Sequence, residues 1–368
     1  MCLNPISVIN PSKYISLKYK DPYLLQVPCG RCAECQSTLS NQWQYRTYYE
    51  FIDCLSQSLD NFILFDTLTY RPKYRPKLSD FFETNHDFDC FNRKHITDFL
   101  KRLRIGLKRA GYNVRLRYFV SSEYGTDPNY SHAPHYHILL FVYGRIDPLY
   151  LSSKIADCWV YGRTDGTPYK TNHYILSHNV IKQSSLSNIL RTCAYVTKYV
   201  QKSCEFQREI NKRIDLTMKD IALTKEDNNW LDSFEARDIR LSLKRCCNQF
   251  HTQSLHFGES GLSDIDIQDL FNTGVLIMPH HKALKLPVVL PTYYKRKLFY
   301  RLVEIDGAKS WQLTDFGREY KQARSAALFK DLENRFKCVC YQYHLSYDYK
   351  ELADYVYILY QSQLIARI

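Results

Sequence analysis

The chain has 368 residues, a formal net charge of +12 and 31 tyrosines. A basic chain rich in aromatic rings favours a nucleic-acid partner, because cations neutralise phosphates and rings stack on bases. No segment has the length and apolar character of a membrane span, and the first residues lack the basic stretch followed by an apolar one that is typical of a secretory leader, so we expect a cytosolic protein. Thirteen cysteines, an odd number, favour thiols and a metal site over a disulfide framework.

The first chemically distinctive segment is a cysteine cluster that contains Cys29, Cys32 and Cys35. Thiolates at this spacing are typical ligands of zinc or of iron–sulfur clusters. A ferredoxin-type cluster needs a further cysteine followed by proline, whereas Leu39 stands at that position. A structural zinc needs a fourth ligand, for which Cys2 is the first candidate and Cys54 the second. Cysteines that bind no metal are the alternative.

Four segments in the first half of the chain predict the core of a fold. Residues 61–70 are rich in β-branched and aromatic side chains and predict a buried strand. Residues 92–110 carry apolar side chains at helical spacing, and Gly111 is well placed to end that helix. Residues 115–123 predict one arm of a hairpin whose second arm begins at His135. We therefore expect an α+β domain with helices packed on an antiparallel sheet.

Two histidines in the run Ala133–Phe141 form a candidate metal site. His135 and His137 project from one face of a strand, because residues two apart face the same way, and imidazole binds several divalent metals. Two hydrogen-bonded core histidines are the alternative. A cupin-like barrel would place a glutamate a few residues later, where this chain has only apolar residues. Glu123, at the end of the first hairpin arm, is a candidate third ligand, with a surface turn residue as the alternative.

A basic helix at about residues 188–203 carries two candidate nucleophiles. Tyr195 and Tyr199 lie one turn apart and off the apolar stripe that contains Cys193. A tyrosine hydroxyl has an ordinary pKa of about 10 and needs help to act as a nucleophile. Lys198 and Lys202 could stabilise the charge that develops on a phosphate. Two surface tyrosines on a basic helix are the alternative.

These motifs in this order resemble the HUH endonuclease superfamily. The resemblance to the replication initiators of microviruses is closer still, in particular to their gokushovirus branch. The resemblance covers about residues 1 to 300, and one departure is Ser122, where the family more often has glycine. The segments that carry it are Met1-Cys-Leu3, Pro28–Cys35 with Trp43 and Arg46, Thr67–Tyr70, Glu123–Gly125, Pro134–Phe141, Tyr195–Lys202 and Leu290–Lys297.

The resemblance implies an enzyme of rolling-circle DNA replication in a bacteriophage. It implies a central sheet of the HUH type and Mg²⁺ or Mn²⁺ bound by His135, His137 and Glu123. Tyr195 or Tyr199 would nick single-stranded DNA at the origin through a 5′-phosphotyrosine, with Lys198 and Lys202 at the catalytic site, and later rejoin the strand. Host DNA polymerase and helicase are the implied protein partners, and the host bacterial cytoplasm is the implied location.

Three regions and several competing functions follow from this interpretation. Residues 1–60 would form a cysteine-rich segment with a candidate zinc site, residues 61–205 the endonuclease core, and residues 206–368 an accessory, largely helical region. Its last helices are predicted at about residues 314–336 and 350–365. Within the same chemistry, a two-tyrosine HUH transposase or a plasmid initiator is the alternative. A zinc-containing protein that binds single-stranded nucleic acid without catalysis is the alternative from another class. A thiol redox protein lacks the βαβ context that its motif requires.

Overall fold

The structure, a computed structural model, describes residues 6–9, 24–30, 32–125, 132–164, 174–177, 193, 197, 207–225, 229–278, 287–305 and 307–343. The strands are β1 (Ile6–Ile9), β2 (Leu24–Val27), β3 (Phe62–Tyr70), β4 (Arg115–Tyr124), β5 (Pro134–Tyr143), β6 (Gly162–Thr164), β7 (Tyr174–Ser177), β8 (His251–Gln253), β9 (Val275–Ile277), β10 (Pro287–Val289), β11 (Tyr300–Ile305) and β12 (Ala308–Leu313). The α-helices are α1 (Ala33–Gln57), α2 (Arg93–Arg109), α3 (Pro148–Cys158), α4 (Gln207–Leu223), α5 (Phe234–Cys247), α6 (Ile267–Thr273), α7 (Thr292–Phe299) and α8 (Asp315–Tyr343). None of these described helices combines the length and the apolar composition needed to cross a lipid bilayer.

By its internal contacts the chain divides into two compact units. Arg46–Glu259 form one unit, and Met1–Tyr45 together with Ser260–Ile368 form the other. The first unit is longer at both ends than the endonuclease core expected at residues 61–205. The functional division of the chain into three regions stays a prediction.

The unit Arg46–Glu259 is built on a six-stranded antiparallel sheet. Its strand order is β6-β3-β5-β4-β8, and β7 also pairs with β3. The long strands β3, β4 and β5 have few exposed residues along their length, because helices or loops cover both faces. The predicted strands at 61–70 and 115–123 and the hairpin that returns at His135 are confirmed, as is the mixed α+β class.

One face of the sheet packs against α2, which is amphipathic as predicted. All of its predicted apolar residues are buried, and they share a core with Tyr136 and Ile138 of β5. The side chain of Asn92 caps the helix by accepting the amide of Lys94. Gly111 follows the last turn with φ +82°, a conformation that glycine adopts without strain. The buried residues of α2 are Ile96, Phe99, Leu100, Leu103 and Leu107.

The other face of the sheet packs against the second half of α1. The ring of Phe51 meets the ring of Phe141 edge-on at 5.3 Å. Glu50 is buried beside them and accepts hydrogen bonds from Arg117 and from the amide of Gly258. Burial raises the pKa of the Glu50 carboxyl, although its hydrogen bonds and the Arg117 charge oppose that shift. This face also carries the two histidines of β5, so α1 and the candidate metal site share one side of the sheet.

In the other unit, short hairpins accompany the helices that the sequence predicts. The predicted helix at about 314–336 is confirmed as α8, and Phe299 stacks on its Tyr320 at 4.3 Å. The strands β8 to β12 also lie in the region 206–368, between its described helices. In the β11–β12 hairpin Ile305 pairs with Ala308, and the sequence between them is Asp-Gly, a dipeptide that favours two-residue hairpin turns. A predicted helix at about 350–365 lies outside the described residues.

Candidate metal centre

The register of the β4–β5 hairpin brings the three predicted ligands together. Glu123 is directly opposite His135, and Ser121 is opposite His137. Because the side chains of paired residues lie on the same face of a sheet, Glu123 and both histidines share one face. Tyr136 lies on the opposite face, in the main core, as the period of two predicts. The hairpin therefore places a carboxylate beside two imidazoles, as the sequence predicts.

Both imidazoles direct Nε2 at the same carboxylate oxygen. Glu123 Oε2 lies 2.9 Å from Nε2 of His137 and 3.4 Å from Nε2 of His135. Only 4% of Glu123 and 7% of His137 are exposed. A carboxylate oxygen and a deprotonated ring nitrogen both carry lone pairs, so this approach requires a proton or a metal cation between them. The three ligand atoms lie within 4.8 Å of one another, a group that could hold a metal ion.

The second nitrogen of each ring has its own partner, which orients the ring. Nδ1 of His135 lies 3.3 Å from the carbonyl oxygen of Ala133, so Nδ1 donates there and leaves the lone pair of Nε2 for a metal. Nδ1 of His137 lies 3.2 Å from Oγ1 of Thr67, and its ring is parallel to that of Phe65. Such outer contacts fix the tautomer and raise the basicity of a ligating histidine.

Two further polar residues on the same face were not predicted from the sequence. Ser121 pairs with both His137 and His251, so His251 of β8 faces the same side as the ligands. The Ser121 side chain is buried, and its hydroxyl makes no hydrogen bond to a described residue. Burial, together with the charges of Arg93 and Arg46, lowers the pKa of His251 to about 4. His251 lies in a three-residue strand, which is too short to be recognised from the periodicity of the sequence.

Comparison with known families links this site to a family of replication proteins. Residues 63–204 match the family model for replication-associated protein ORF2. The match supports a rolling-circle replication initiator family and an endonuclease-type role in DNA replication. The matched segment contains β3, β4 and β5, and with them Glu123, His135 and His137. No curated protein and no solved structure gives a significant match to the chain.

Within the segment that matches the replication-associated family, Ser122 has a structural role of its own. Its hydroxyl donates to the carbonyl oxygen of Phe250 at 3.0 Å and accepts from the amide of Phe250 at 2.7 Å. Its backbone amide also donates to that carbonyl oxygen. A glycine could make only the last of these bonds. The serine therefore ties β4 to the chain that leads into β8, and it leaves Glu123 on the opposite face.

The predicted nucleophiles and their cations lie outside the described residues. These are Tyr195, Lys198, Tyr199 and Lys202. Two members of the same segment, Cys193 and Thr197, are helical and fully buried, and Oγ1 of Thr197 donates to the carbonyl oxygen of Cys193 at 2.7 Å. The burial of Cys193 agrees with the apolar stripe predicted for this helix. The positions of the tyrosines stay a prediction.

The cysteine cluster forms a second group that could hold a metal ion. The sulfurs of Cys29, Cys32 and Cys35 lie within 4.8 Å of one another. Cys2 lies outside the described residues. The alternative fourth ligand, Cys54, was predicted wrongly, because its thiol contacts the carbonyl oxygens of Phe62 and Val142 beside the sheet. The straight helix α1 alone separates Cys54 from Cys35 by about 28 Å.

Proposed function

We propose that the protein is a metal-dependent HUH endonuclease that nicks and rejoins single-stranded DNA at a phage replication origin. The observation that carries the proposal is the convergence of Glu123, His135 and His137 on one face of an antiparallel sheet. That group lies within the segment matched by a replication-associated family. The basic, aromatic-rich composition fits a single-stranded DNA partner.

The donor set fits a divalent cation such as Mg²⁺ or Mn²⁺. Two imidazoles and one carboxylate leave other coordination positions open, a combination typical of catalytic metals. His135 and His137 would bind through Nε2, since Nδ1 of each ring has another partner, and Glu123 would bind through Oε2. When bound, the cation supplies positive charge beside the scissile phosphate.

Tyr195 and Tyr199 would act as the nucleophiles. The phenol oxygen of one tyrosine forms a bond to phosphorus, and the bond from phosphorus to the 3′ oxygen of the preceding nucleotide breaks. The tyrosine loses its proton and the 3′ oxygen gains one, which leaves a 5′-phosphotyrosine and a free 3′-OH. Lys198 and Lys202 would stabilise the charge on the phosphate during this exchange. One phosphoester replaces another, so the joining step consumes no ATP.

Two tyrosines on one helix would allow the cycle to close. Host DNA polymerase would extend the free 3′-OH while host helicase opens the duplex, both in the bacterial cytoplasm. When the origin has been copied, the second tyrosine would attack the regenerated origin. The 3′-OH released in that step would attack the first phosphotyrosine, close the displaced strand into a circle and free the first tyrosine.

The test is covalent capture of DNA by the full-length protein with Mn²⁺. Single-stranded oligonucleotides that tile the genome encoding this chain serve as the probe. We expect a denaturant-resistant protein–DNA complex with oligonucleotides from one locus, and a loss of at least about 100-fold in His137→Ala. His256→Ala is the matched control, since this exposed histidine pairs with Glu259. Metal-independent binding without cleavage would show a non-catalytic binding protein, and equal activity of His137→Ala would refute the assigned site.

A further inference from the structure

Three cysteines meet where the N-terminal strands lead into α1. Strand β2 ends at Val27, and α1 begins at Ala33. Cys29 and Cys32 lie in the connection, and Cys35 lies in the first turn of the helix. Their sulfurs are within 4.8 Å of one another. A tetrahedral zinc with Zn–S bonds of about 2.3 Å holds its sulfurs about 3.8 Å apart, so small shifts would bring all three into coordination.

The backbone between the first two cysteines is arranged to support thiolates. The amide of Cys32 donates to Sγ of Cys29 at 3.3 Å, and a donor aimed at a sulfur stabilises its charged form. Gly30 adopts φ +71°, a left-handed conformation that lets the chain turn back on itself between the two sulfurs. The carbonyl oxygen of Cys32 accepts the amide of Gln36, so the helix starts at the cluster. The positive end of the helix dipole further favours a thiolate at Cys35.

The strand pair that precedes α1 is small, and a bound metal would stabilise it. The segment before α1 contributes one described two-stranded sheet, β1–β2, of four residue pairs. An isolated two-stranded hairpin is at best marginally stable in water. A metal bound between the end of β2 and the start of α1 would fix the strand pair to the helix. A disulfide could join only two of the three cysteines, and the third would then serve no purpose in the cluster.

We propose that Cys29, Cys32 and Cys35 hold a structural zinc ion. The three thiolates supply three of the four positions of a tetrahedral site. This site is separate from the group of Glu123, His135 and His137, and it requires no nuclease activity. In this role zinc stabilises the N-terminal segment and takes no part in phosphate chemistry.

The first test measures zinc in a chain that lacks the other candidate site. The full-length variant Glu123→Ala/His135→Ala/His137→Ala is purified, dialysed and analysed for metal. We expect one zinc per chain and, after exchange, a cobalt derivative with sulfur-to-cobalt charge-transfer absorption. Adding Cys29→Ser, Cys32→Ser or Cys35→Ser to that background should weaken zinc affinity at least about tenfold. Cys338→Ser is the matched control, because Cys338 is exposed on α8.

A second measurement needs no substitution and so does not depend on whether a variant folds. The wild-type protein is alkylated with and without prior removal of zinc by a chelator, and each cysteine is quantified by mass spectrometry. We expect Cys29, Cys32 and Cys35 to react only after chelation, whereas Cys338 reacts in both samples. Absence of zinc, equal alkylation in both samples, or a disulfide within the cluster of the freshly purified protein would each overturn the proposal.

Discussion

At the scale of single residues, the neighbours of His95 on α2 fix its protonation state. Its Nδ1 lies 2.9 Å from the hydroxyl of Tyr70, and its Nε2 lies 3.2 Å from Nδ2 of Asn92. The Asn92 side-chain oxygen accepts the amide of Lys94, so Nδ2 faces the ring as a donor. Nε2 must then be an acceptor, and the imidazole is neutral. If Nε2 of His95 carried a proton, it would be a donor facing another donor, Nδ2 of Asn92.

Acid should therefore destabilise the fold through His95. Burial lowers the pKa of His95 from 6.5 to about 4. Because the folded pKa is the lower one, the neutral ring contributes its full stability above about pH 6.5, and that contribution is lost as the pH falls towards 4. Over that pH range, the loss of unfolding free energy should be about 1–2 kcal/mol smaller in His95→Gln than in wild type. This figure is less than the full pKa shift implies, because the ring is partly exposed and solvent screens its charge. Urea unfolding across that window measures the difference, and identical pH dependence in both proteins would contradict it.

The hydroxyl of Thr67 should tune metal affinity although it is not a ligand. Thr67→Val removes the contact to Nδ1 of His137 and nearly preserves the shape of the side chain. We expect Mn²⁺ affinity to fall by about 10- to 100-fold. Calorimetric titration with Mn²⁺ provides the measurement. Thr97→Val is the control, because the Thr97 hydroxyl donates a local hydrogen bond to the carbonyl oxygen of Arg93. Affinities that match in the two variants would rule out this role.

The sequence predicts the ligands of the candidate site better than their surroundings. Glu123 follows from a hairpin, a short-range feature whose two arms must meet. Thr67 and His251 belong to strands that pair with the hairpin across long stretches of chain. Which distant strand pairs with a hairpin, and in which register, depends on tertiary packing that local periodicity does not contain.

At the scale of elements, two glycines should respond in opposite ways to the same substitution. A Cβ on Gly162 in β6 would overlap the carbonyl group of Thr69 on β3, whereas a Cβ on Gly106 in α2 would meet no atom within 4 Å. We expect Gly162→Ala to lower the unfolding free energy by about 3 kcal/mol. Gly106→Ala should raise it by about 0.5–1 kcal/mol, because alanine loses less backbone entropy in a helix. Denaturant unfolding compares both with wild type, and a stable Gly162→Ala would show that β6 does not lie against Thr69.

Long elements were predictable and short ones were not. The helix α2 and the strands β3, β4 and β5 are long enough for their apolar patterns to be read from the sequence. The strands β6 and β8 have three residues each, and their pairing partners stabilise them more than their own composition does. The β11–β12 hairpin did carry a local signal, in Asp306-Gly307, which the helical expectation for this region overlooked.

At the scale of the whole molecule, the class of the fold was predictable and its division into units was not. An antiparallel sheet with helices on it follows from the order of predicted elements. The compact unit around that sheet begins at Arg46, inside α1. Such a boundary depends on contacts between residues far apart in the chain, which local sequence patterns do not contain.

The central claim is that Tyr195 or Tyr199 joins to DNA with the help of the group formed by Glu123, His135 and His137. The most direct measurement captures the wild-type protein on DNA in Mn²⁺, trims the DNA with nuclease and identifies the modified residue by mass spectrometry. We predict a nucleotide attached through its 5′-phosphate to Tyr195 or Tyr199, and no adduct in Glu123→Ala. A nucleotide attached to any other residue, or an adduct that persists in Tyr195→Phe/Tyr199→Phe, would contradict the account.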